Sequence, residues 1–222
     1  MADDHEILTK PEGRYHHGDL RSALLRATET LIAEHGTGAV SLREVARIAG
    51  VSHGAPAHHF GNKDGLMLAF AQEGWDRMIE AILNAVDADR PGNGPAFLVS
   101  VGKAYVRFAM ANPGQFDVMF RRDLYDLKDK GYLGAGDSAW VFLEDTIQRC
   151  IDEGFAPPEA AQTFTIIAWS MVHGLAALWN SGRVRSRFEK LDPDVLNEQI
   201  NEALTTMMFP GRPHAEMKTG PG

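Results

Sequence analysis

Cysteine is nearly absent from this chain, and so are strand patterns and the short motifs of common enzymes. The 222 residues contain a single cysteine, Cys150, which excludes an intrachain disulfide framework and fits a reducing compartment. No stretch of useful length alternates apolar and polar residues, and the apolar periodicity is helical throughout. Neither a nucleotide-binding glycine motif nor a G-x-S-x-G or H-E-x-x-H motif occurs. We therefore expect an all-α protein with no catalytic residues and no cofactor.

Formally charged side chains are missing from residues 160–182, a run long enough to raise the question of a membrane span. Polar Gln, Thr, Ser, His and Asn residues are scattered through it, which favours a buried helix over a membrane-spanning one. The first ten residues are acidic at their start and lack the apolar centre of a secretory signal. We therefore expect a cytoplasmic protein with no membrane partner.

Residues 41–60 have the pattern of two short helices separated by a tight turn. Ser41 and Glu44 can form a capping box, in which the serine hydroxyl accepts from the Glu44 N–H and the glutamate reaches back to the Ser41 N–H. Gly50 permits the left-handed backbone of a turn, and Ser52 can cap the second helix. The outward positions of that helix carry the short or polar side chains that meet base edges in a DNA major groove: His53, Gly54, Ala57 and His58. This pattern predicts a helix-turn-helix, with an ordinary helical corner as the alternative on spacing alone.

The chain as a whole is acidic, with a formal net charge of −8. Residues 10–63 have the opposite balance, with seven Lys or Arg and five Asp or Glu. A mildly basic tip is compatible with a small electrostatic footprint on DNA, although a chance fluctuation of surface charge gives the same small excess. The six histidines of this region lack the converging spacings of a zinc site, so we expect no metal.

Beyond residue 63 the apolar residues recur at helical spacing almost to the end of the chain. A long helix is expected after a cap at Asn62, followed by a loop at 87–95. Further helices are expected at 96–111, 113–120, 138–153, 157–181 and 193–208, with a partly ordered connection at 121–137. Within 157–181, Trp169 and His173 lie on one helix face. His173 is therefore either hydrogen-bonded within the core or exposed to a cavity, and both readings stay open here.

Three segments near the amino end resemble the DNA-binding domain of TetR/AcrR-type transcriptional regulators: YHHGDLRSALLRAT (15–28), SLREVARIAGVS (41–52) and HHFGNKDGL (58–66). Downstream, NPGQFDVMF (112–120) and WSMVHG (169–174) resemble the ligand-binding domain of a TetR subgroup with a Trp-His-Gly signature. The resemblance implies a repressor that binds a double-stranded DNA operator as a homodimer and is released by a small, mainly apolar effector. The expected parts are a flexible arm (1–17), a helix-turn-helix domain (18–63), a helical ligand-binding and dimerisation domain (64–209) and a disordered tail (210–222).

The same resemblance implies site residues by position. DNA contacts are expected at Arg14, Ser41, Arg43, Ser52, His53, Gly54, His58, His59 and Lys63. The ligand site is expected to include Tyr105, Phe108, Phe116, Phe120, Trp140, Trp169 and His173. The dimer interface is expected to include Leu175, Leu178, Trp179, Leu196, Ile200 and Leu204. One position departs from the family, because Ala57 stands where a tyrosine usually precedes the His-Phe pair, which removes one phosphate anchor.

Two other classes of function remain open from the sequence. One is a helical interaction module whose helix-turn-helix has lost its affinity for DNA, as Ala57 and the acidic body allow. The other is a helical enzyme that uses His173 with Glu144 or Asp145. A salt series separates the classes, because the affinity of a DNA reader falls steeply with salt concentration.

Overall fold

The computed structural model describes residues 17–125, 130–188 and 190–210, and the chain divides into two units, one ending at Asn62 and the other beginning at Lys63. Over these residues the fold is all-α, as expected, with ten α-helices and no strand. Residues 1–16 of the expected arm and 211–222 of the expected tail lie outside the described residues.

The first unit consists of three helices around a small core. They are α1 (His17–His35), α2 (Leu42–Ala49) and α3 (Ala55–Phe60), with a 3-10 turn at Thr37–Ala39. Of the residues that helical spacing assigns to this core, Leu24, Leu31 and Val45 are fully buried, whereas Ile48, Val51 and Phe60 are half-buried. Gly50 ends α2 in the left-handed conformation with φ of 69°, which confirms the predicted turn.

The helix caps in this unit differ from the sequence-based expectation in two respects. Ser41 Oγ accepts from the Glu44 N–H at 3.2 Å, but the Glu44 carboxylate accepts from Arg47 Nε at 2.8 Å instead of reaching back to residue 41. The expected cap by the Ser52 side chain is wrong, because the N-cap of α3 is Gly54 and Ser52 contributes only its carbonyl to the Ala55 N–H. Pro56 explains the later start, since a residue without an N–H is best placed in the first turn of a helix.

The second unit contains seven helices: α4 (Lys63–Asp89), α5 (Gly94–Ala111), α6 (Pro113–Phe120), α7 (Lys130–Asp152), α8 (Ala161–Asn180), α9 (Arg183–Arg187) and α10 (Pro193–Met208). The bounds of α6 and α10 are those predicted. In contrast, α7 begins eight residues earlier than expected, inside the segment interpreted as a connection, and α9 lies in the interval between the helices expected at 157–181 and 193–208. In both segments the apolar residues recur only weakly at helical spacing. Helices in such segments are stabilised by tertiary packing more than by the intrinsic helix propensity of their residues, so the sequence alone does not reveal them.

Helix α5 lies at the centre of the second unit, packed against α4, α6, α7, α8 and α10. One apolar cluster joins α5, α7, α8 and α10 and includes Leu98, Ile147, Cys150, Ala168 and Leu204. Gly102 allows α10 to approach α5 closely, because a Cβ at this position would overlap the amide oxygen of Asn201.

Helix α8 and the turn before it, Pro158–Asn180, form the one segment among the described residues that is long and apolar enough to cross a membrane by composition. In the fold this helix packs against α5, α7 and α10. Only 28% of its most apolar window is buried, so one face of α8 packs in the second unit while other apolar side chains of the helix stay exposed.

Candidate nucleic-acid interface and ligand cavity

The outer face of the helix-turn-helix is formed by the residues that the sequence pattern placed there. His53 and Gly54, just before α3, and Ala57 and His58 on it are all exposed. His59 is half-buried, with its ring 5.6 Å from that of His58 and 6.1 Å from that of Phe60. Short side chains and imidazoles thus cover a helix that is narrow enough to enter a major groove.

The two arginines of α2 differ in whether an acidic side chain is paired with them. Arg47 is held by Glu44, whereas the exposed Arg43, in the first turn of α2, has no ion pair among the described residues. The hydroxyl of Ser41 is occupied as a cap, and Ser52 is exposed. Lys63 is the first residue of α4 and belongs to the second unit. The remaining candidate contact, Arg14, lies outside the described residues.

The second unit contains a cavity of about 450 Å³ between α4, α5, α6, α7, α8 and α10. Its walls are mainly aromatic and aliphatic, and the aromatic side chains are Trp75, Tyr105, Phe120, Trp140, Phe142 and Trp169. A volume of this size falls within the range of roughly 300–1,000 Å³ that small-molecule sites occupy. The unit therefore has room for a compact organic ligand.

The seven predicted ligand-site residues fall into three groups. Tyr105, Phe120, Trp140 and Trp169 line the cavity. Phe116 and His173 do not line it but pack behind it, and the His173 ring lies 4.5 Å from Phe120 and 5.4 Å from both Phe116 and Trp169. Phe108 is buried in α5 and lies outside the lining set.

His173 is half-buried, and its ring is hydrogen-bonded within the second unit. Its Nδ1 is hydrogen-bonded to the Tyr105 hydroxyl at 2.9 Å, and burial lowers the pKa of His173. Burial also raises the pKa of Tyr105, so both groups are neutral near neutral pH. Glu144, one proposed catalytic partner, is exposed and accepts from Trp140 Nε1 at 2.8 Å. The geometry thus favours the structural reading of His173 that the sequence left open.

Several cavity residues were not identified from the sequence as site residues. Helix α4 contributes Trp75, Met78 and Ile82, which sequence analysis treated as an ordinary core stripe. Helix α10 contributes Asn201 and Thr205, which are 2% and 1% exposed. The one available signal was a pair of polar residues four apart on an apolar stripe, Asn197 and Asn201, since polar groups there must be satisfied internally.

The predicted dimer residues are only partly available at the surface. Leu175 and Leu204 are 7% and 3% exposed, and Leu204 lines the cavity, so little of either side chain is available to a partner, and the interface itself stays a prediction. Leu196, Ile200 and Trp179 are half-buried, with Arg185 over the Trp179 ring, and Leu178 is 45% exposed. The outward face of α8 runs through Ile167, Met171, Gly174 and Leu178. It therefore includes Gly174 in place of the predicted Leu175, the next residue along the helix. We call these four residues the α8 stripe.

No group of three or more His, Cys, Asp or Glu side chains able to hold a metal ion occurs in the part of the chain that the structure describes. Cys150 is buried, and burial raises the pKa of its thiol to about 12. A thiol of this kind remains protonated and unreactive.

A helix-turn-helix unit with an exposed polar recognition face, followed by a helical unit that encloses an apolar cavity, defines the class of TetR-type helical regulators. The family description "Bacterial regulatory proteins, tetR family" matches residues 24–70, and the description "Tetracyclin repressor-like, C-terminal domain" matches residues 98–204. The chain belongs to the TetR family. Membership of the Trp-His-Gly subgroup stays a prediction.

Individual relatives are more distant. The chain is 39% identical over 62 residues to the HTH-type transcriptional repressor AcnR of Corynebacterium glutamicum, a match that covers 28% of this chain and 33% of that one. It thus spans about a third of the length of this curated relative. A protein of unknown function from Rhodococcus sp. RHA1 has a similar structure, with 27% identity, a TM-score of 0.75 and coverage of 90% of this chain and 98% of that one. The structure of AibR in complex with isovaleryl coenzyme A and operator DNA shares the fold, with 20% identity, a TM-score of 0.60 and coverage of 86% and 98%.

Proposed function

We propose that this protein is a cytoplasmic transcriptional repressor that binds a pseudo-palindromic DNA operator as a homodimer and releases it when a small, mainly apolar molecule occupies the cavity. The observation that carries the proposal is the presence in one chain of an exposed helix-turn-helix face and a cavity of about 450 Å³ in a separate unit. The name of the AcnR relative and the complex of AibR with an acyl-coenzyme A and operator DNA support it. The first unit is then the DNA-binding domain, and the second binds the effector and forms the dimer.

DNA recognition falls to the outer face of α3. His53 and His58 supply hydrogen-bonding groups for base edges, and Gly54 allows close approach of the backbone to the groove. Arg43, exposed and without an ion pair among the described residues, is the strongest candidate for a phosphate contact.

Dimerisation falls to the α8 stripe. Met171 and Ile167 are each 38% exposed and Leu178 is 45% exposed, which is unusual for three large apolar residues on one helix face. Gly174 lies between them, and a Cβ at this position meets no atom of the chain within 4 Å. A glycine at the centre of the stripe allows the helices of two copies to approach closely. A two-fold dimer presents two recognition helices, which accounts for a pseudo-palindromic operator.

Effector control requires that the ligand bind the form without DNA more tightly than the DNA-bound form. Helix α4 is the element through which this coupling would act. Two residues separate it from α3, and it contributes Trp75, Met78 and Ile82 to the cavity wall. A ligand that repositions these side chains also repositions the helix that leads into the DNA-binding domain.

The test is to select DNA from a random duplex pool with the purified protein and to sequence what it retains. The proposal predicts an inverted repeat whose half-site centres lie about one helical turn apart, and an affinity that falls steeply with salt. Recovery of random sequence, or retention of no duplex at low salt, would contradict it. The second outcome would favour the interaction-module alternative.

A further inference from the structure

The wall that α10 contributes to the cavity includes two polar side chains, Asn201 and Thr205. They are 2% and 1% exposed, so each must find its hydrogen-bond partners within the fold or in the cavity. The Thr205 hydroxyl donates to Asn201 O at 2.8 Å. The amide nitrogen of Asn201 donates to Asn197 O and Oδ1 at 2.9 and 2.8 Å. The donors of this wall are therefore committed within α10.

A chain of hydrogen bonds fixes the orientation of the Asn201 amide. Asn197 Nδ2 donates to Lys103 O at 2.9 Å, and a backbone carbonyl can only accept. The other end of the Asn197 amide, Oδ1, therefore meets Asn201 and needs a donor there. An exchange of the Asn201 nitrogen and oxygen would place one acceptor against two others. The chain of amides thus ends in Asn201 Oδ1, which is an acceptor.

Asn201 Oδ1 has no donor among the described residues. Trp75 Nε1 is the one buried side-chain nitrogen or oxygen of these residues with neither a partner nor appreciable accessible surface, so the unpaired Asn201 oxygen remains accessible. This oxygen lies over Gly102, where a Cβ would overlap it and would come within 3.3 Å of Val172 Cγ1. Gly102, Val172 and Asn201 all line the cavity. The unpaired acceptor therefore borders the cavity between α5, α8 and α10.

We propose that the effector is a mainly apolar molecule whose hydroxyl or N–H group donates a hydrogen bond to Asn201 Oδ1. This inference rests on the proposed function, which makes the cavity the effector site. A ligand that excludes water from this oxygen without donating to it leaves a buried acceptor unsatisfied and loses affinity. Asn201 therefore favours alcohols, phenols and N–H heterocycles on an apolar skeleton over ethers and hydrocarbons of the same shape.

Indole, benzofuran and indene test the inference, because they have nearly the same shape and differ at one ring position, which is N–H, O and CH₂ respectively. Their binding to the full chain is measured by titration calorimetry for the wild type, Asn201→Leu and Thr205→Val. Leucine keeps the branched shape of asparagine without its oxygen, and valine keeps that of threonine without its hydroxyl. The ratio of indole to indene affinity separates one hydrogen bond from changes in packing, as in a double-mutant cycle.

We expect Asn201→Leu to lower the indole-to-indene ratio about threefold to tenfold, the usual effect of one hydrogen bond. The benzofuran-to-indene ratio should not fall, since a ring oxygen has no proton to donate. Thr205→Val should leave the indole-to-indene ratio at the wild-type value, because the hydroxyl that it removes donates within α10.

A second measurement uses the wild-type protein, because Asn201→Leu also deprives Asn197 Oδ1 of its donor and so destabilises the fold. The side-chain carbonyl of Asn201 is labelled with carbon-13 and observed by NMR. Accepting a hydrogen bond moves a carbonyl carbon resonance downfield, so indole should move it further downfield than indene does. Benzofuran should give the same shift as indene.

An unchanged indole-to-indene ratio in Asn201→Leu, an equal fall of this ratio in Thr205→Val, equal carbonyl shifts with indole and indene, or failure of all three probes to bind would overturn the inference. None of these readouts involves DNA. Probes that bind as expected to a protein that retains no operator would therefore contradict the proposed function and leave the cavity assignment standing.

Discussion

Restoring a tyrosine at position 57 should tighten DNA binding. Ala57 is exposed on the outer face of α3, so a tyrosine there displaces no core atom. The resemblance to the family places a tyrosine hydroxyl at this position against a DNA phosphate, and alanine has no donor to offer.

The expected gain follows from one favourable contribution and two smaller unfavourable ones. A hydrogen bond to a charged group contributes about 1.5–3 kcal/mol, and ordering the new side chain costs about 0.5–1.5 kcal/mol. The helix-propensity penalty of Ala→Tyr within the six-residue α3 is roughly 0.5 kcal/mol. A net gain of about 1 kcal/mol corresponds to about fivefold tighter binding for each DNA-binding domain, and so to about 30-fold for a homodimer on an operator with two half-sites.

Fluorescence anisotropy with the selected operator measures this gain, and Ala57→Phe is the matched control because it adds the ring without the hydroxyl. A neutral hydroxyl releases no counterion, so the slope of log affinity against log salt should be the same in wild type and Ala57→Tyr. Equal affinities of the Tyr and Phe variants would refute the reasoning, since the ring and not the hydroxyl would then account for any change.

Three further predictions concern charge, assembly and pH. Arg43→Gln should reduce the slope of log affinity for DNA against log salt concentration by about 0.9 per lost phosphate contact. Arg47 is already paired with Glu44, so Arg47→Gln should reduce the slope by less than half as much. Equal slopes for the wild type and Arg43→Gln would remove Arg43 from the DNA interface. Gly174→Leu should weaken the dimer by roughly 5-fold to 150-fold through overpacking. The thermal stability of the isolated chain should be kept, because no atom of the same chain lies within 4 Å of a Cβ at this position. An unchanged dimer dissociation constant in analytical ultracentrifugation would exclude the α8 stripe from the dimer interface. Burial lowers the pKa of His173, so as the pH falls the imidazole is protonated in the unfolded chain before it is protonated in the folded one, and the folded state loses stability below about pH 6.5. Calorimetry should therefore show that Tm falls less with decreasing pH in His173→Gln than in the wild type. Equal dependence of Tm on pH in the two proteins would contradict a lowered pKa for His173.

Helical periodicity and turn chemistry were sufficient to predict most of the fold. The capping serine at position 41, the left-handed Gly50 and the proline at the start of α6 or α10 act within a few residues of themselves, so their consequences are readable locally. The exposed positions of α3 followed from the same local periodicity.

Only the tertiary structure decided which helix faces meet. The early start of α7 and the outward turn of Met171 in place of Leu175 depend on what packs against each helix, and a stripe shifted by one residue looks almost the same in the sequence. The cavity and its α4 wall are likewise products of packing between distant segments. Local residue types determined the elements of this protein, and long-range packing determined its ligand site, because a cavity is defined by the space that side chains from several helices leave between them.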